Sequence, residues 1–262
     1  MKRVLLITII ILGTFSLQGI AQTTYQTPPK AIADLVNAPS TPSVSFSKNG
    51  DWMMLLELAD KPSSEELSPP ELRIAGLRIN PATSGPSRGR GVENVKIKMT
   101  RGGEEIQIKG LPANPSMGGF ALSKDEKFIA FTQTEANGIS LWIVDMTSFE
   151  AKKLTDTILN EVYGNAMAWT PENEILIKAV NPSRGNIPQK HSAPAGPIIQ
   201  ESTGDASPNR TYQDLLSNPY DEKLFAFFID SQIMLVDLNG NKKPIGPLGM
   251  INTTNLTPDG KY

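Results

Sequence analysis

The stretch LSKDEKF at residues 122–128 leads directly into the apolar run Ile129–Phe131, and related stretches recur along the chain. The other copies are FSKNGDW at 46–52, WTPENE at 169–174 and the terminal PDGKY at 258–262. Each of the first three has a hydrophobic residue, a polar turn with Ser or Thr, and then a run of strand-forming residues. One strand–turn–strand unit repeated along a chain is the sequence signature of a β-propeller.

The spacing of these copies sets the expected architecture. They begin roughly 76, 47 and 87 residues apart, against about 40–50 residues for a simple blade, so the longer intervals must hold insertions. We therefore expect an all-β fold, a partial β-propeller of about three blades plus the start of a fourth. The fourth copy stops within its turn, so we interpret the chain as the front part of a larger protein. The sequence has no long amphipathic helix, which argues against a doubly wound α/β domain.

Several local elements can be predicted before and within the first insertion. Residues 31–36 are long enough for one to two helical turns before the prolines that follow. Residues 95–99 and 106–108 alternate between apolar and polar side chains and predict a hairpin. Residues 72–79 alternate as a strand does, and Gly76 interrupts the alternation and marks a bulge or a bend.

The remaining irregular segments are rich in Pro, Gly and Ser. Residues 81–91 are interpreted as a mobile loop, and residues 181–210 as an insertion with weak periodicity. After this insertion, residues 212–216 are expected to begin a short helix. Residues 224–228 are wholly apolar and fit either a buried strand or the core of a helix.

The first residues have the layout of a secretory signal peptide. Lys2 and Arg3 precede an apolar stretch at 4–12, and small residues follow up to Ala21, where cleavage is expected. The alternative is a membrane anchor, for which the apolar stretch is short. We therefore expect a signal peptide at 1–21 and an exported, periplasmic or extracellular protein that has no membrane contact after cleavage.

Charge and cysteine content exclude several functions. The chain has a formal charge of −2, and loss of residues 1–21, with two basic and no acidic residues, changes it to −4. This balance does not favour nucleic acid as a partner. The sequence has no cysteine, so thiolate catalysis, thiolate metal sites and disulfides are excluded. With a single histidine as well, we expect no metal site and no cofactor.

Five stretches of the chain carry a family resemblance. They are RTYQDLL at 210–216, LRIAGLRI at 72–79, PSRG at 182–185, PAGP at 194–197 and the lead-in PPKAIADLVNAP at 28–39. Together they resemble the propeller of glutamyl endopeptidases, which are serine peptidases of the prolyl oligopeptidase (S9) group. The resemblance extends from about residue 27 to the last residue, and the stretch at 210–216 is its most specific part.

The resemblance implies a division of labour between two domains. In the family, a seven-bladed propeller covers an α/β-hydrolase domain that holds a Ser-Asp-His triad, and the named subfamily cleaves after acidic residues. By this resemblance, residues 22–43 form an extended lead-in with a short helix and residues 44–262 an incomplete propeller. By the same resemblance, we expect the C-terminal hydrolase domain to lie outside this chain and no catalytic residue of the family to fall on it. The implied partners are peptide substrates and that hydrolase domain.

Two arginines are the candidate substrate-binding residues. An acid-preferring peptidase needs cationic groups near the substrate carboxylate, and the planar fork of arginine binds a carboxylate with two parallel hydrogen bonds. Arg184 and Arg210 lie within the stretches that most resemble the family. The alternative is that both are ordinary loop arginines.

One motif suggests a catalytic site within the chain itself. GPSRG at 85–89 matches the Gly-x-Ser-x-Gly nucleophile elbow, and His191 follows it in sequence. An elbow requires a strand before the serine and a helix after it, whereas this segment is rich in Pro and Gly. We therefore expect a chance match. Three hypotheses remain open: a peptidase propeller, a non-catalytic exported propeller that binds a partner protein, and a hydrolase acting through Ser87 and His191.

Overall fold

The computed structural model describes residues 26–62, 64–190, 196, 199, 201, 204 and 212–257. The chain divides into two compact units, Met1–Pro39 and Ser40–Tyr262. In the first unit, helix α1 spans Lys30–Val36, which confirms the helix predicted at 31–36. Pro29 immediately precedes it with a φ of −50°, an angle that suits the start of a helix. No helix among the described residues is long and apolar enough to cross a membrane.

The second unit consists mainly of short antiparallel strands. In chain order these are β1 (Ser43–Phe46), β2 (Trp52–Leu58), β3 (Leu72–Ile74), β4 (Leu77–Asn80), β5 (Gly85–Pro86), β6 (Val92–Met99), β7 (Ile106–Gln107), β8 (Met117–Leu122), β9 (Phe128–Glu135), β10 (Gly138–Asp145), β11 (Glu150–Lys153), β12 (Met167–Trp169), β13 (Ile175–Val180), β14 (Asp230–Val236) and β15 (Lys242–Met250). Two helices lie between strands, α2 at Ser64–Leu67 and α3 at Pro219–Ile229.

Twelve of these strands form three antiparallel four-stranded meanders in succession. Meander A is β1-β2-β6-β7, meander B is β8-β9-β10-β11 and meander C is β12-β13-β14-β15. The named strands of meanders A and B pair at one residue pair, Val92 with Met117, and Lys109 forms an isolated bridge to Glu150 of β11. The hairpin predicted at 95–108 is confirmed, because Lys96 pairs with Gln107. The described chain is thus mostly β, as the repeated sequence pattern predicted.

Each of the three repeated stretches among the described residues forms the turn between the first two strands of a meander. A Ser or Thr hydroxyl in the turn accepts a hydrogen bond from a backbone N–H at or next to the start of the second strand. These bonds run from Trp52 to Ser47 (3.2 Å), from Phe128 to Ser123 (3.0 Å) and from Glu174 to Thr170 (3.1 Å). The feature that the three described copies share is therefore a Ser or Thr side chain that closes the turn.

The three turns also contact one another. The backbone N–H of Lys48, in the turn of meander A, donates to the carboxylate of Glu126 in meander B. The neighbouring carboxylate of Asp125 accepts a hydrogen bond of 3.0 Å from the side-chain amide of Asn173 in meander C. The hydrogen bonds from Asn173 and Ser123 lower the pKa of Asp125 from 3.8 to about 2. The turns of the three meanders thus lie side by side.

We expect Asp125→Ala to lower the free energy of unfolding by about 1 kcal/mol at pH 7, a modest value because the side chain is one-third exposed. The folded-state pKa lies below the unfolded one, so this contribution is complete above pH 4 and disappears as the pH falls towards 2. Urea unfolding at several pH values measures it. Glu172→Ala, at an exposed position of the corresponding turn, is the control. A difference that persists unchanged at pH 2 would contradict the assignment.

Two apolar clusters join the meanders face to face. The cluster between A and B contains Met54, Val92, Val95, Ile97, Ile108, Met117, Ile129, Phe131 and Val144. The cluster between B and C contains Ala130, Ile139, Leu141, Ile143, Leu154, Leu159, Ala166, Met167, Trp169, Ile175, Ile177 and Val236. Alternating residues of β9 enter the two clusters, because successive side chains of a strand point to opposite faces. Meander B is therefore buried on both faces.

The structure corrects two local predictions and decides between the two alternatives of a third. Residues 72–79 are not a bulged strand but the hairpin β3-β4, in which Ala75 and Gly76 have φ angles of 50° and 76° and form the turn. Residues 212–216 do not form a helix. The apolar residues 224–228 lie in helix α3, because Asn218 provides an N-cap and Pro219 occupies the first turn.

Candidate functional site

Two insertions, far apart in sequence, pack together into one structure. The first lies between β2 and β6 and contains the sheet β3-β4-β5, and the second lies between β13 and β14 and contains α3. Their shared core consists of Ile74, Ile79, Val162, Leu224, Phe228 and Ile229. We call these inserted elements the cap. Two of the polar residues that the sequence singled out, Ser87 and Arg184, lie in the cap.

Buried hydrogen bonds attach the cap to the connector between meanders B and C. The side-chain amide of Asn160, which is buried, donates to the carbonyl of Phe228 at 2.8 Å and to the hydroxyl of Ser231 at 3.1 Å. The backbone N–H of the next residue, Glu161, donates to the carbonyl of Ser84 at 2.9 Å. Each of these hydrogen bonds gives a partner to a polar group that would otherwise be buried without a hydrogen bond.

The predicted mobile loop at 81–91 is largely packed. Thr83 and Ser84 are buried, and Gly85 and Pro86 form strand β5, which pairs with β4. Gly85 is closely packed, because a Cβ placed on it would lie 2.5 Å from the side chain of Ile139. Part of the predicted loop, residues 83–86, is therefore packed, because Gly85 allows a close approach between the cap and meander B.

A network of charges covers one side of the cap. Arg73 and Arg78 face each other across strands β3 and β4, and the carboxylate of Glu71 lies between them. Its Oε2 atom also forms an ion pair with the Nε atom of Arg88, at 2.9 Å, and accepts a hydrogen bond from the hydroxyl of Ser87, at 2.7 Å. The Ser87 hydroxyl lowers the pKa of Glu71 most, followed by the arginines. The carboxylate offsets the repulsion between like charges that face each other across strands.

The same network connects the two insertions. Arg78 forms an ion pair with Asp214, at 2.5 Å, although the two residues are 136 positions apart in sequence. Both side chains are partly exposed, so the ion pair positions the insertions more than it stabilises the fold.

Arg184, one of the two predicted substrate-binding residues, lies inside the cap. Its guanidinium group stacks over the ring of Phe227, 4.6 Å from the centroid, and its Nη2 atom donates to the hydroxyl of Ser84 at 3.0 Å. Burial lowers its pKa, and its buried Nη1 atom has no hydrogen-bond partner among the described residues. The other predicted residue, Arg210, lies outside the described residues. The structure therefore locates one of the two.

The motif at 85–89 lacks the geometry of a nucleophile elbow. Ser87 follows the two-residue strand β5, the segment after it runs to strand β6 without a helix, and its hydroxyl donates to Glu71. His191 lies outside the described residues. Within the described part of the chain, no group of three His, Cys, Asp or Glu residues could hold a metal ion.

Sequence reasoning missed two buried charged residues close to the cap. Glu161 is partly buried, and burial raises the pKa of its carboxyl group, opposed by a hydrogen bond from Thr132 and by the charge of Lys178. Lys178 is only 1% exposed, and burial lowers its pKa to about 8. A signal for Lys178 was present, because it interrupts the apolar strand ILIKAV at 175–180. Glu161 lies in an irregular connector and has no such signal.

Comparison with known proteins gives a clear relationship. A rice protein (Oryza sativa subsp. japonica) named "Probable glutamyl endopeptidase, chloroplastic" is 34% identical over 254 residues, which cover 91% of this chain and 27% of the rice protein. A protein of the same name from Arabidopsis thaliana is 31% identical, with coverages of 92% and 26%. The chain is related to the glutamyl endopeptidases. It spans about a quarter of the length of these two relatives.

The other comparisons add little to this relationship. No family model matches the chain. Among solved structures, acylaminoacyl peptidase from Pyrococcus horikoshii has a TM-score of 0.37 at 14% identity, with coverage of 80% of this chain and 26% of that one. TolB from Acinetobacter baumannii has a TM-score of 0.33 at 12% identity, with coverages of 80% and 45%. Both similarities are too distant to define the fold.

Proposed function

We propose that this chain is the non-catalytic β-propeller part of an exported serine peptidase of the S9 group. In this role it binds peptides and limits their access to a hydrolase domain encoded in other residues. The observation that carries the proposal is the relationship to glutamyl endopeptidases over nine-tenths of the chain. Three successive four-stranded meanders, packed face to face through two apolar cores, are the arrangement expected of propeller blades and support it further.

Labelling by a fluorophosphonate probe tests whether the catalytic serine lies outside this chain. We expect the 262-residue chain to remain unlabelled and the full product of the same gene to be labelled and to cleave peptides after Glu. Labelling of the short chain that is lost in Ser87→Ala would refute the proposal and assign the chemistry to Ser87. A full gene product without a labelled serine would instead favour the alternative, an exported propeller that binds a partner protein.

Export is part of the proposal and has its own measurement. Residues 1–21 have the layout of a cleaved signal peptide, whereas the names of the two plant relatives refer to the chloroplast. Mass spectrometry of the protein secreted from its bacterial expression host should give a mature amino terminus at Gln22. An intact Met1 in the cell lysate would contradict export.

Arg184 is the described candidate for contact with an acidic substrate side chain. Its Nη1 atom has no hydrogen-bond partner among the described residues, so a carboxylate could supply one. In the full gene product, Arg184→Ala should raise KM for Glu-containing peptides about tenfold or more and change KM for neutral peptides little. Arg101→Ala, at an exposed site, is the control. Equal effects on both peptides would leave Arg184 with a packing role over Phe227.

A further inference from the structure

The connector between meanders B and C carries a carboxylate, that of Glu161, that forms no ion pair with a described residue. Among the residues the structure describes, no Lys, Arg or His nitrogen lies within ion-pair distance of it, although a hydrogen bond from Thr132 and the charge of Lys178 both lower its pKa against the effect of burial. Partial burial disfavours the charged form of the Glu161 carboxyl group. A bound cation would therefore stabilise the ionised carboxylate. A carboxylate held in this way is a candidate for ligand binding.

Two cavities meet at this carboxylate. The larger, about 470 Å³, extends from Glu161 along Gly119–Ala121 and Gly164–Met167. The smaller, about 200 Å³, extends from Glu161 towards Asn80 and the first residues of β8. Glu161, Thr132 and Pro86 line both cavities. A ligand could therefore reach the carboxylate from either side, and a peptide could occupy the larger cavity.

The wall of the larger cavity combines the edge of β8 that does not pair with β9 and an aromatic face. Strand β8 pairs with β9 along one edge, but its other edge has only the pair between Met117 and Val92 among the described residues. Gly119, which is exposed and has a φ of 59°, places main-chain groups there without a side chain. Phe120 also lines the cavity and stacks on Phe131, 5.4 Å between centroids, which fixes its ring.

We propose that Glu161 binds the primary ammonium group of a peptide, either its amino terminus or a lysine side chain, with Gly119 and Phe120 as the adjoining wall. An ammonium group has three N–H donors, which match a carboxylate and a neighbouring main-chain carbonyl, and an aromatic face attracts a cation. A divalent metal ion fits less well, because no group of three ligating side chains occurs in the described residues. The inference rests on the proposed function only in that the ligand is a peptide.

Matched peptides test the ammonium group on the 262-residue chain. Triglycine amide is compared with its N-acetyl form, and acetyl-Gly-Lys-Gly amide with the same peptide carrying norleucine, by isothermal titration or NMR. We expect at least one peptide with a free amine to bind about tenfold or more tightly than its matched peptide without one. The first pair tests the amino terminus and the second the lysine side chain. Equal affinities in both pairs would overturn the proposal.

Variants assign the effect to the carboxylate. Glu161→Gln should abolish the preference for the free amine, and Glu172→Gln, at an exposed position, should leave it unchanged. Thr132→Val is an independent variant if circular dichroism finds Glu161→Gln unfolded. It keeps the carboxylate, removes its hydrogen bond and should weaken amine binding roughly threefold to tenfold. An amine preference that survives in Glu161→Gln, or that is undiminished in Thr132→Val when the first variant is unfolded, would refute the site.

The two proposals can fail separately. If the full gene product is labelled by fluorophosphonate but this chain has no amine preference, only the ammonium site is wrong. If the amine preference is present and the full product is never labelled, only the assignment to serine peptidases is wrong.

Discussion

Phe131→Ala is expected to lower the free energy of unfolding by about 3–5 kcal/mol. The side chain is fully buried in the cluster that joins meanders A and B. Its ring stacks between those of Phe120, 5.4 Å away, and Trp142, 6.0 Å away, so truncation removes aromatic contacts and leaves a cavity. Because the two meanders are held together mainly by this cluster, the loss should affect the whole second unit.

Phe46→Ala is the matched control for this prediction. Phe46 lies in strand β1 and is 61% exposed, so the same substitution there should change the free energy of unfolding by no more than about 0.5 kcal/mol. Urea unfolding followed by tryptophan fluorescence measures both variants. If the two substitutions cost the same, Phe131 does not lie in a core between two packed meanders.

Lys178→Met is expected to lower the free energy of unfolding by about 2–4 kcal/mol at pH 7. The Nζ atom of Lys178 donates to three main-chain carbonyls, those of Tyr163, Ile251 (3.4 Å) and Asn252 (3.0 Å). These bonds fix the segment after β15 against the connector that precedes β12. Methionine has a similar length and no N–H donor, so the three carbonyls would lose this partly buried donor.

The pH dependence of this difference in unfolding free energy tests whether the Lys178 amine causes it. Burial lowers the pKa of Lys178 from 10.5 to about 8, and the charge of Glu161 opposes this shift. Between these two values the unfolded chain binds more protons than the folded one, so stability rises with pH. The gap between wild type and Lys178→Met should therefore widen from pH 8 to 10.5, by up to about 3 kcal/mol.

Lys124→Met, at an exposed position in the turn of meander B, is the control for both effects. Groups that titrate equally in wild type and variant cancel in the difference between them. Unfolding in urea at pH 7, 8 and 10 is sufficient to test the trend. A gap that is constant over this range would place the Lys178 amine in contact with solvent.

The meanders could be predicted from the sequence because their information is local. Alternation along a strand and a hydroxyl that closes the following turn both act within about ten residues, so the stretches at 46–52, 122–128 and 169–174 each specify one hairpin. The same local evidence was insufficient at 72–79. The interrupted alternation at 72–79 is the same for a bulged strand and for two strands joined by a turn. The structure has the turn, at Ala75 and Gly76, which both have positive φ.

The candidate site could be predicted only in part. Arg184 was selected by resemblance to a family, and the structure places it in the cap, whereas Arg210 lies outside the described residues. Pattern reasoning gave no indication that Ser84 would accept a hydrogen bond from Arg184, 100 residues away. It also treated Gly85 and Pro86 as loop residues, although they form strand β5 and Gly85 packs tightly against Ile139 of meander B.

The sequence by itself determined the strands, their turns and the family relationship, because periodicity, turn chemistry and residue identity are encoded along the chain. Only the tertiary structure decided which turns lie side by side, that two insertions form one cap, and that Glu161 and Lys178 are buried. These features depend on contacts between residues that are tens to more than a hundred positions apart. Packing of the apolar faces of the meanders selects such contacts, and no local pattern specifies them.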